Sequence, residues 1–380
     1  MKRIAKISAF ATWIALIVVL AAATIVEKCA GSESAHTHIY SAWWFVALWG
    51  VMAVCSLCHI ISTFRSFAFH PVTFCLHLSF LLILCGAFLT YLLGDKGYLH
   101  LRQNEQVNFY ISVENAERCF LPFSIRLILF DIRYHDGTEQ AADYISYVEI
   151  DHEVRQISMN NILKQNGYRF YQMDYDADEM GSLLMVSYDP YGIAVTYVGY
   201  ALLGLSMLLL LIRKIRWKGL LWLFVPTAGL WFYISQLNPM TPVLRSPMLA
   251  IHVSVILIAY LLLFAMMVVG IIALTSPRRL ARLAQLNRQL LYPAVFMLAA
   301  GIFLGAVWAN ISWGRYWGWD AKETWALITL MIYSLAFHRR SLLLFSRPRA
   351  FQWFCVLAFS AILMTFFGVS YLLGGIHSYV

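Results

Sequence analysis

The sequence predicts a polytopic α-helical membrane protein, about nine transmembrane helices, with a small extracytoplasmic β-rich domain. Three observations predict this fold. Hydrophobic residues make up 61% of the chain and charged residues only 13%, where soluble domains carry about 25% charge. Apolar runs of about 20 residues, enough to cross a bilayer, recur along the chain. One long polar stretch, residues 95–190, alternates apolar and polar side chains as half-buried strands do.

The apolar runs fall at 7–26, 42–63, 72–93, 191–212, 219–236, 248–274, 289–309, 324–338 and 351–373. They divide the chain into three helices in 1–94, the polar domain 95–190, two helices in 191–236 and four in 237–380. If the spans alternate, the basic residues collect on one face: Lys2, Arg3 and Lys6, then Arg65, then Arg213, Lys214, Arg216 and Lys218, then Arg278, Arg279, Arg282 and Arg288, then Arg339, Arg340, Arg347 and Arg349. Short basic loops stay cytoplasmic, so the N-terminus is expected inside, with the 95–190 domain and the C-terminus outside. The net charge of +8 then belongs to membrane orientation, and nucleic acid is excluded as a partner. The first run is longer than a signal-peptide core of about 7 to 15 residues and reads as an uncleaved anchor.

Within 95–190, sixteen acidic residues face eight basic ones, a surface that attracts basic partners or is simply solvated. Ser124–Tyr134 and Tyr144–Ile150 alternate as strands around a turn at His135–Thr138, and Gly167–Gln172 reads as a third strand after a turn at 164–167.

Residues 308–325 carry five tryptophans: Trp308, Trp313, Trp317, Trp319 and Trp325. Tryptophan gathers at membrane interfaces, but a belt places one or two per helix end. Five in one segment point to a flat ligand, because indole offers the largest rigid apolar face and Gly314 and Gly318 let a planar molecule approach the backbone. Tyr316 adds a further ring. Asp320 is expected to cap the next helix, with Glu323 in its first turn.

Ionisable groups inside spans are costly and point to function, and imidazole is a common metal ligand. His77 is expected about 8 Å into the third span and His338 about 22 Å along the eighth, which brings them to one depth near the cytoplasmic side. His252 begins the sixth span and His377 follows the ninth, so this second pair brackets the tryptophan segment. Two pairs at two depths, each offering two axial ligands, suit haem that moves between an inner and an outer site. Taken singly, each can also be read as an imidazole bonded to a backbone carbonyl. Cys55-Ser-Leu-Cys58-His59 matches the C-x-x-C-H pattern of covalent haem attachment but lies within an apolar span near its cytoplasmic end, and reads as a coincidence in a cysteine-tolerant helix. Cys29 and Cys119 are both expected outside, where a disulfide is permitted.

The segment Trp313-Gly-Arg-Tyr-Trp-Gly-Trp-Asp320-Ala-Lys-Glu-Thr-Trp325 resembles the WWD signature of haem-handling proteins in cytochrome c maturation, in the form found in system II synthases. Arg245-Ser-Pro-Met-Leu-Ala-Ile-His252 and Phe367-Gly-Val-Ser-Tyr-Leu-Leu-Gly-Gly-Ile-His377 resemble that family's outer histidines. His77-Leu-Ser-Phe-Leu-Leu-Ile-Leu-Cys-Gly86 and Ile332-Tyr-Ser-Leu-Ala-Phe-His338 resemble the transmembrane histidines of its CcsB (ResB-like) and CcsA (ResC-like) halves. Ile157-Ser-Met-Asn with Gly167–Gln172 resembles the outer domain of the CcsB half. The likeness covers nearly the whole chain, as a compact fusion of the two halves. Ala321 departs from the family's usual proline, and the outer domain is short.

The resemblance implies a multi-pass protein of the bacterial cytoplasmic (inner) membrane that binds haem b as ligand and substrate. Haem would be held by His77 and His338, pass to His252 and His377, and lie on the tryptophans with Arg315 and Lys322 at its propionates. Apocytochrome c with a reduced C-x-x-C-H would add its thiols to the vinyl groups, and a thioredoxin-like thiol reductase is a possible further partner. The protein would then be a holocytochrome c synthase (cytochrome c haem-lyase) acting by proximity and orientation. No side chain stands out as a general acid or base. Two other readings stay open: a haem exporter or chaperone that forms no thioether bond, and a b-type cytochrome in quinol electron transfer.

Overall fold

The computed structural model describes residues 2–65, 70–215, 217–237 and 246–373. Ten α-helices and eight strands follow one another as α1 (Lys2–Ala30), α2 (Ser32–Ala35), α3 (Trp43–Arg65), α4 (Pro71–Leu93), the strands, α5 (Gly192–Lys214), α6 (Trp217–Gln236), α7 (Pro247–Thr275), α8 (Leu280–Trp313), α9 (Ala321–Leu335) and α10 (Pro348–Leu363). Seven of the described helices are long and apolar enough to cross a membrane. The eighth predicted span is a 15-residue helix, α9, which continues as a 3₁₀ turn over Ala336–His338. The ninth begins as α10 and passes into a π-helical stretch at Met364–Leu373.

Prolines open three of these helices. Pro71, Pro247 and Pro348 occupy the first turn, where a missing N–H costs nothing and the fixed φ suits the helix.

Helix α4 packs on α5 through small residues. A side chain at Gly86 would put its Cβ 2.6 Å from the Thr196 amide nitrogen, and one at Gly199 would lie 2.9 Å from the Ile83 nitrogen. Such stripes let helix backbones approach closely in a bilayer, where dispersion rather than water exclusion drives association. Buried polar groups join α7, α8 and α10: the Asn287 amide donates to the Met266 carbonyl at 2.9 Å and to Gln352 Oε1 at 2.6 Å. In the interior of a bundle these donors have no water to turn to.

The polar stretch folds as one antiparallel eight-stranded sheet: β1 (Asp95–Arg102), β2 (Gln106–Ser112), β3 (Arg118–Tyr134), β4 (Ala141–Ile150), β5 (Glu153–Ser158), β6 (Leu163–Gln165), β7 (Tyr168–Tyr175) and β8 (Gly181–Tyr188). The order is β5-β4-β3-β2-β1-β8-β7-β6. The three predicted strands correspond to β3, β4 and β7. The predicted turn at 164–167 narrows to Asn166 and Gly167, both at positive φ, because Leu163–Gln165 pairs with β7 as a short strand. Along β3, Leu121, Phe123, Ile125 and Leu127 are buried in alternation and meet Leu99, Leu101 and Phe170 in the sheet's core. All seven cysteines, Cys29 and Cys119 included, are free thiols.

Gly86→Leu should destabilise the folded protein in detergent by about 1–3 kcal/mol or more, because the α4–α5 contact has no room for it. Gly50→Leu, on α3 where an added Cβ meets nothing within 4 Å, serves as the control. The check is the thermal midpoint and the size-exclusion profile of the two variants. Equal behaviour would show that close packing at Gly86 does not hold the pair.

Candidate functional site

Helix α8 carries the first two tryptophans of the segment and ends at Trp313. Gly314 takes a left-handed backbone, φ 73°, and a side chain there would run into the Tyr171 ring of β7. The loop then turns through Trp319, φ 59°, to Asp320. Asp320 caps α9, its carboxylate accepting from the Glu323 N–H at 2.8 Å, while the Glu323 carboxylate reaches back to accept from the Gly318 N–H at 2.7 Å. This reciprocal arrangement satisfies donors that a helix start leaves open and fixes the loop from both ends. Ala321 is the first residue of α9, a position that suits proline and alanine alike, so the departure from the family pattern is neutral for the helix.

The tryptophans divide by environment. Trp319 stacks face to face on Tyr40, centroids 4.9 Å apart and planes at 10°, and meets the edges of Phe45 and Trp317. Trp325 donates its indole N–H to the Thr24 hydroxyl of α1 at 3.2 Å. Trp308 is buried against Trp313, centroids 4.9 Å apart. Trp317 packs on the core formed by α7, α8 and α10. Four of the five, Trp308, Trp317, Trp319 and Trp325, are therefore built into the packing of the protein. The indole N–H groups of Trp308 and Trp317 are buried and have no hydrogen-bond partner among the described residues. Tyr316 is spent inside the protein: its hydroxyl donates to Thr90 at 3.1 Å, and Thr90 in turn donates to Asp189 at 2.6 Å.

Cationic groups gather beside the loop. The Lys96 ammonium, at the start of β1, is held below the ordinary lysine range by desolvation and then by the charge of Arg315, with Asp189 acting against the shift. The His36 imidazole is pushed down by burial, and then by Lys96 and Arg315. Lys322 is lowered by burial while Asp320 opposes the shift. Arg315 thus belongs to a basic cluster with Lys96 and His36, whereas Lys322 is already balanced by Asp320.

The sheet is pinned to this loop by polar contacts. Arg169 of β7 donates to Asn310 Oδ1 at 3.2 Å, Asn310 donates to the Tyr197 hydroxyl of α5 at 2.6 Å, and Ser312 donates to Asn160. Burial raises the Tyr171 phenol to about 12, so it is neutral where it meets Gly314.

Two histidine sites are separated along the bundle. His77 of α4 and His338 at the end of α9 lie with ring centroids 6.5 Å apart and planes at 63°. The Nδ1–H of His338 points at the Ser334 carbonyl, 3.2 Å away. Phe10 and Trp13 of α1 flank its ring at 5.6 and 6.3 Å. At the other end of α7, the Nδ1–H of His252 donates to the Gly301 carbonyl at 2.7 Å, and the ring lies against Gly305, where an added Cβ would be 2.6 Å from its Cε1. A carbonyl can only accept, so Nδ1 carries the proton in both rings and Nε2 keeps its lone pair. His377 lies outside the described residues. Among the described residues, no three His, Cys, Asp or Glu side chains converge to hold a bare metal ion.

The family model of the cytochrome c assembly protein matches residues 191–377. The ResB-like family model matches residues 71–203. The chain belongs to the ResB–CcsA family of cytochrome c biogenesis. Protein NrfI of Wolinella succinogenes is 39% identical over 166 residues, 39% of this chain and 18% of that protein. The cytochrome c biogenesis protein CcsA of Guillardia theta is 32% identical over 176 residues, 38% of this chain and 58% of its own. CcsA of Cyanophora paradoxa is 43% identical over 98 residues, 26% of this chain and 30% of its own. The chain spans less than two thirds of the length of these relatives.

Sequence reasoning missed several groups that the structure brings to the site. Tyr40 and His36 sit in a short π-helical turn, His36–Tyr40, with no repeating pattern to flag them. Lys96 has nothing in sequence to set it apart from the other basic residues of 95–190. Gly305 shows its role only once α7 lies against α8. His59, read as a coincidence, has its ring 4.8 Å from that of His77.

Gly314→Ala should loosen the junction between sheet and loop. A left-handed backbone costs an alanine about 1–2 kcal/mol, and the methyl also meets Tyr171. Faster protease cleavage within 314–320 is the expected result. Cleavage at the wild-type rate would mean that Tyr171 gives way freely.

Proposed function

We propose that this ResB–CcsA protein carries haem b from the basic-loop side of the bacterial cytoplasmic membrane to the tryptophan loop and attaches it there to the C-x-x-C-H motif of apocytochrome c. The N-terminus is then cytoplasmic, and the sheet, the loop and the C-terminus face outward. The observation that carries the reading is the separation of the His77 and His338 rings, 6.5 Å. An imidazole nitrogen ligates a metal at about 2 Å and its ring centre lies about 1 Å behind, so two axial ligands on one iron have centroids about 6 Å apart. The pair is spaced for an iron between the rings.

The outer site uses His252, whose ring is oriented by the Gly301 bond, and His377 as the second ligand. The WWD loop supplies the surround. Buried N–H groups of Trp308 and Trp317 and the charges of Arg315 and Lys96 offer partners for two propionate carboxylates. Lys322 is the weaker candidate because Asp320 already answers it.

Attachment is an addition. Each cysteine S–H adds across a vinyl C=C, a C–S bond forms, the hydrogen goes to the neighbouring carbon and nothing leaves. The protein's contribution is to hold two large reactants in register, which lowers a bimolecular barrier by up to about 7–11 kcal/mol. The thiols must be reduced, so a thioredoxin-like reductase is the expected companion.

Co-expression with an apocytochrome in cells that lack their own maturation system tests the reaction. Haem that stays on the cytochrome through a denaturing gel is the expected result. Haem released free would leave export or presentation as the function, and two permanent haems reduced rapidly by quinol would instead mark a b-type cytochrome.

The sites are tested separately. His338→Gly and His252→Gly should each lower bound haem by about tenfold or more, and added imidazole should restore it. Gly305→Ala should mimic His252→Gly in part by displacing that ring, while Gly204→Ala, which meets nothing within 4 Å, should not. Full haem content in all of these variants would rule out the ligand assignment.

A further inference from the structure

His59 is the group the mechanism leaves unused. It lies six residues before the end of α3 at Arg65, and His77 lies six residues after the start of α4 at Pro71, so the two share a depth in the bundle. Their ring centroids are 4.8 Å apart, with planes at 61°. That is shorter than the spacing of about 6 Å that two ligands on opposite faces of one iron require. His59 and His77 therefore cannot clasp one iron between them as placed, and each is an alternative to the other across from His338.

Their exposures differ in an informative way. His59 is exposed, while His77 and His338 are half-buried. Val54, Leu57 and Ile61, at 60%, 47% and 43% exposure, form the lipid-facing stripe of α3, and at about 100° per residue His59 lies on the other side of the helix, toward α4 and the ring of His77. It is exposed there, at the open edge of the contact between the two helices. An ionisable side chain inside a span is costly and points to function. Haem has a broad apolar macrocycle that partitions into hydrocarbon. An exposed imidazole at that edge, touching the ring of a half-buried ligand, stands where such a molecule first meets the inner site.

We infer that His59 is an alternative axial ligand of the inner site, which captures haem from the bilayer and then yields the iron to His77. The inference rests on the reading of His77 and His338 as haem ligands. Exchange between neighbouring imidazoles needs only a short sideways movement of the macrocycle, with His338 able to hold the opposite face throughout. Iron stays ligated, no electron is transferred, and no bond of the porphyrin changes.

The test uses the full-length protein with the outer site emptied by His252→Gly, and reads haem content and absorption spectrum after purification. Adding His77→Gly should leave most of the inner haem in place with a two-imidazole spectrum, because His59 takes over. Adding His59→Leu as well should lower that haem by about tenfold or more. His59→Leu with His77 intact should slow haem capture from phosphatidylcholine vesicles loaded with hemin, followed by stopped-flow absorption. Leucine is close to the imidazole in size and suits a span, and a monodisperse size-exclusion peak confirms folding of each variant. The inference is overturned if His77→Gly loses as much haem as the double variant, or if His59→Leu captures haem at the unmodified rate. Retention of haem in His338→Gly would instead overturn the inner-site reading itself.

Discussion

The turn at Gly314 is the constraint on which the rest of the structure depends. It ends α8 in a left-handed residue, and its missing side chain is the space that Tyr171 of the sheet occupies. One position therefore sets the direction of the tryptophan loop and the seat of the polar domain. The contacts beside it point the same way: Arg169 holds Asn310, and Asn310 holds Tyr197 of α5. Each of these contacts joins the segment matched by the ResB-like model to the segment matched by the cytochrome c assembly model. The loop is completed from the other side by Tyr40, whose ring covers Trp319. A fusion of two halves in one chain is a natural consequence, because the loop has its walls in both.

Much of this was legible in the sequence, for physical reasons that can be named. A bilayer demands long apolar runs, so the spans declare themselves, and the eighth of them marks α9 even though that helix is short. Asp320 followed by Glu323 announces a helix start, because cap chemistry is local in sequence. The loop's supports were not legible. Tyr40, Lys96 and Tyr171 act across contacts between elements far apart in the chain, and no periodicity marks them. His59 was hidden by a motif: a C-x-x-C-H pattern within an apolar span invited dismissal, and only the neighbouring ring of His77 gives it meaning. The shortfall in β strands has a similar origin in part, although β1 does alternate. β6 has three residues, and β5 buries its residues at one end rather than in alternation, so neither shows a period of two.

The tryptophans also change meaning between sequence and structure. A cluster of indoles suggested one continuous platform, yet Trp308, Trp319 and Trp325 are committed to packing or to a bond with Thr24. Rigidity is the gain. On the proposed reading the loop presents a flat ligand to a second large molecule, and it loses less freedom on binding if its own rings are already fixed. The buried donors of Trp308 and Trp317 are the counterpart, since an unanswered N–H in such a setting is costly until a ligand supplies an acceptor.

The histidine environments bear on the difference between a carrier and a resident cofactor. His252 and His338 both direct Nδ1–H at main-chain carbonyls, Gly301 and Ser334. Such a bond fixes the tautomer and aims Nε2, but a neutral carbonyl draws less on the proton than a carboxylate does and raises the ring's basicity less. On the proposed reading this balance suits cargo: the ligands are oriented in advance, and the iron is held loosely enough to be handed on. A permanently bound haem gains from stronger support at each imidazole. A haem that must leave twice, first for the outer site and then for the histidine of an apocytochrome, gains from ligands that are well placed and modest in strength.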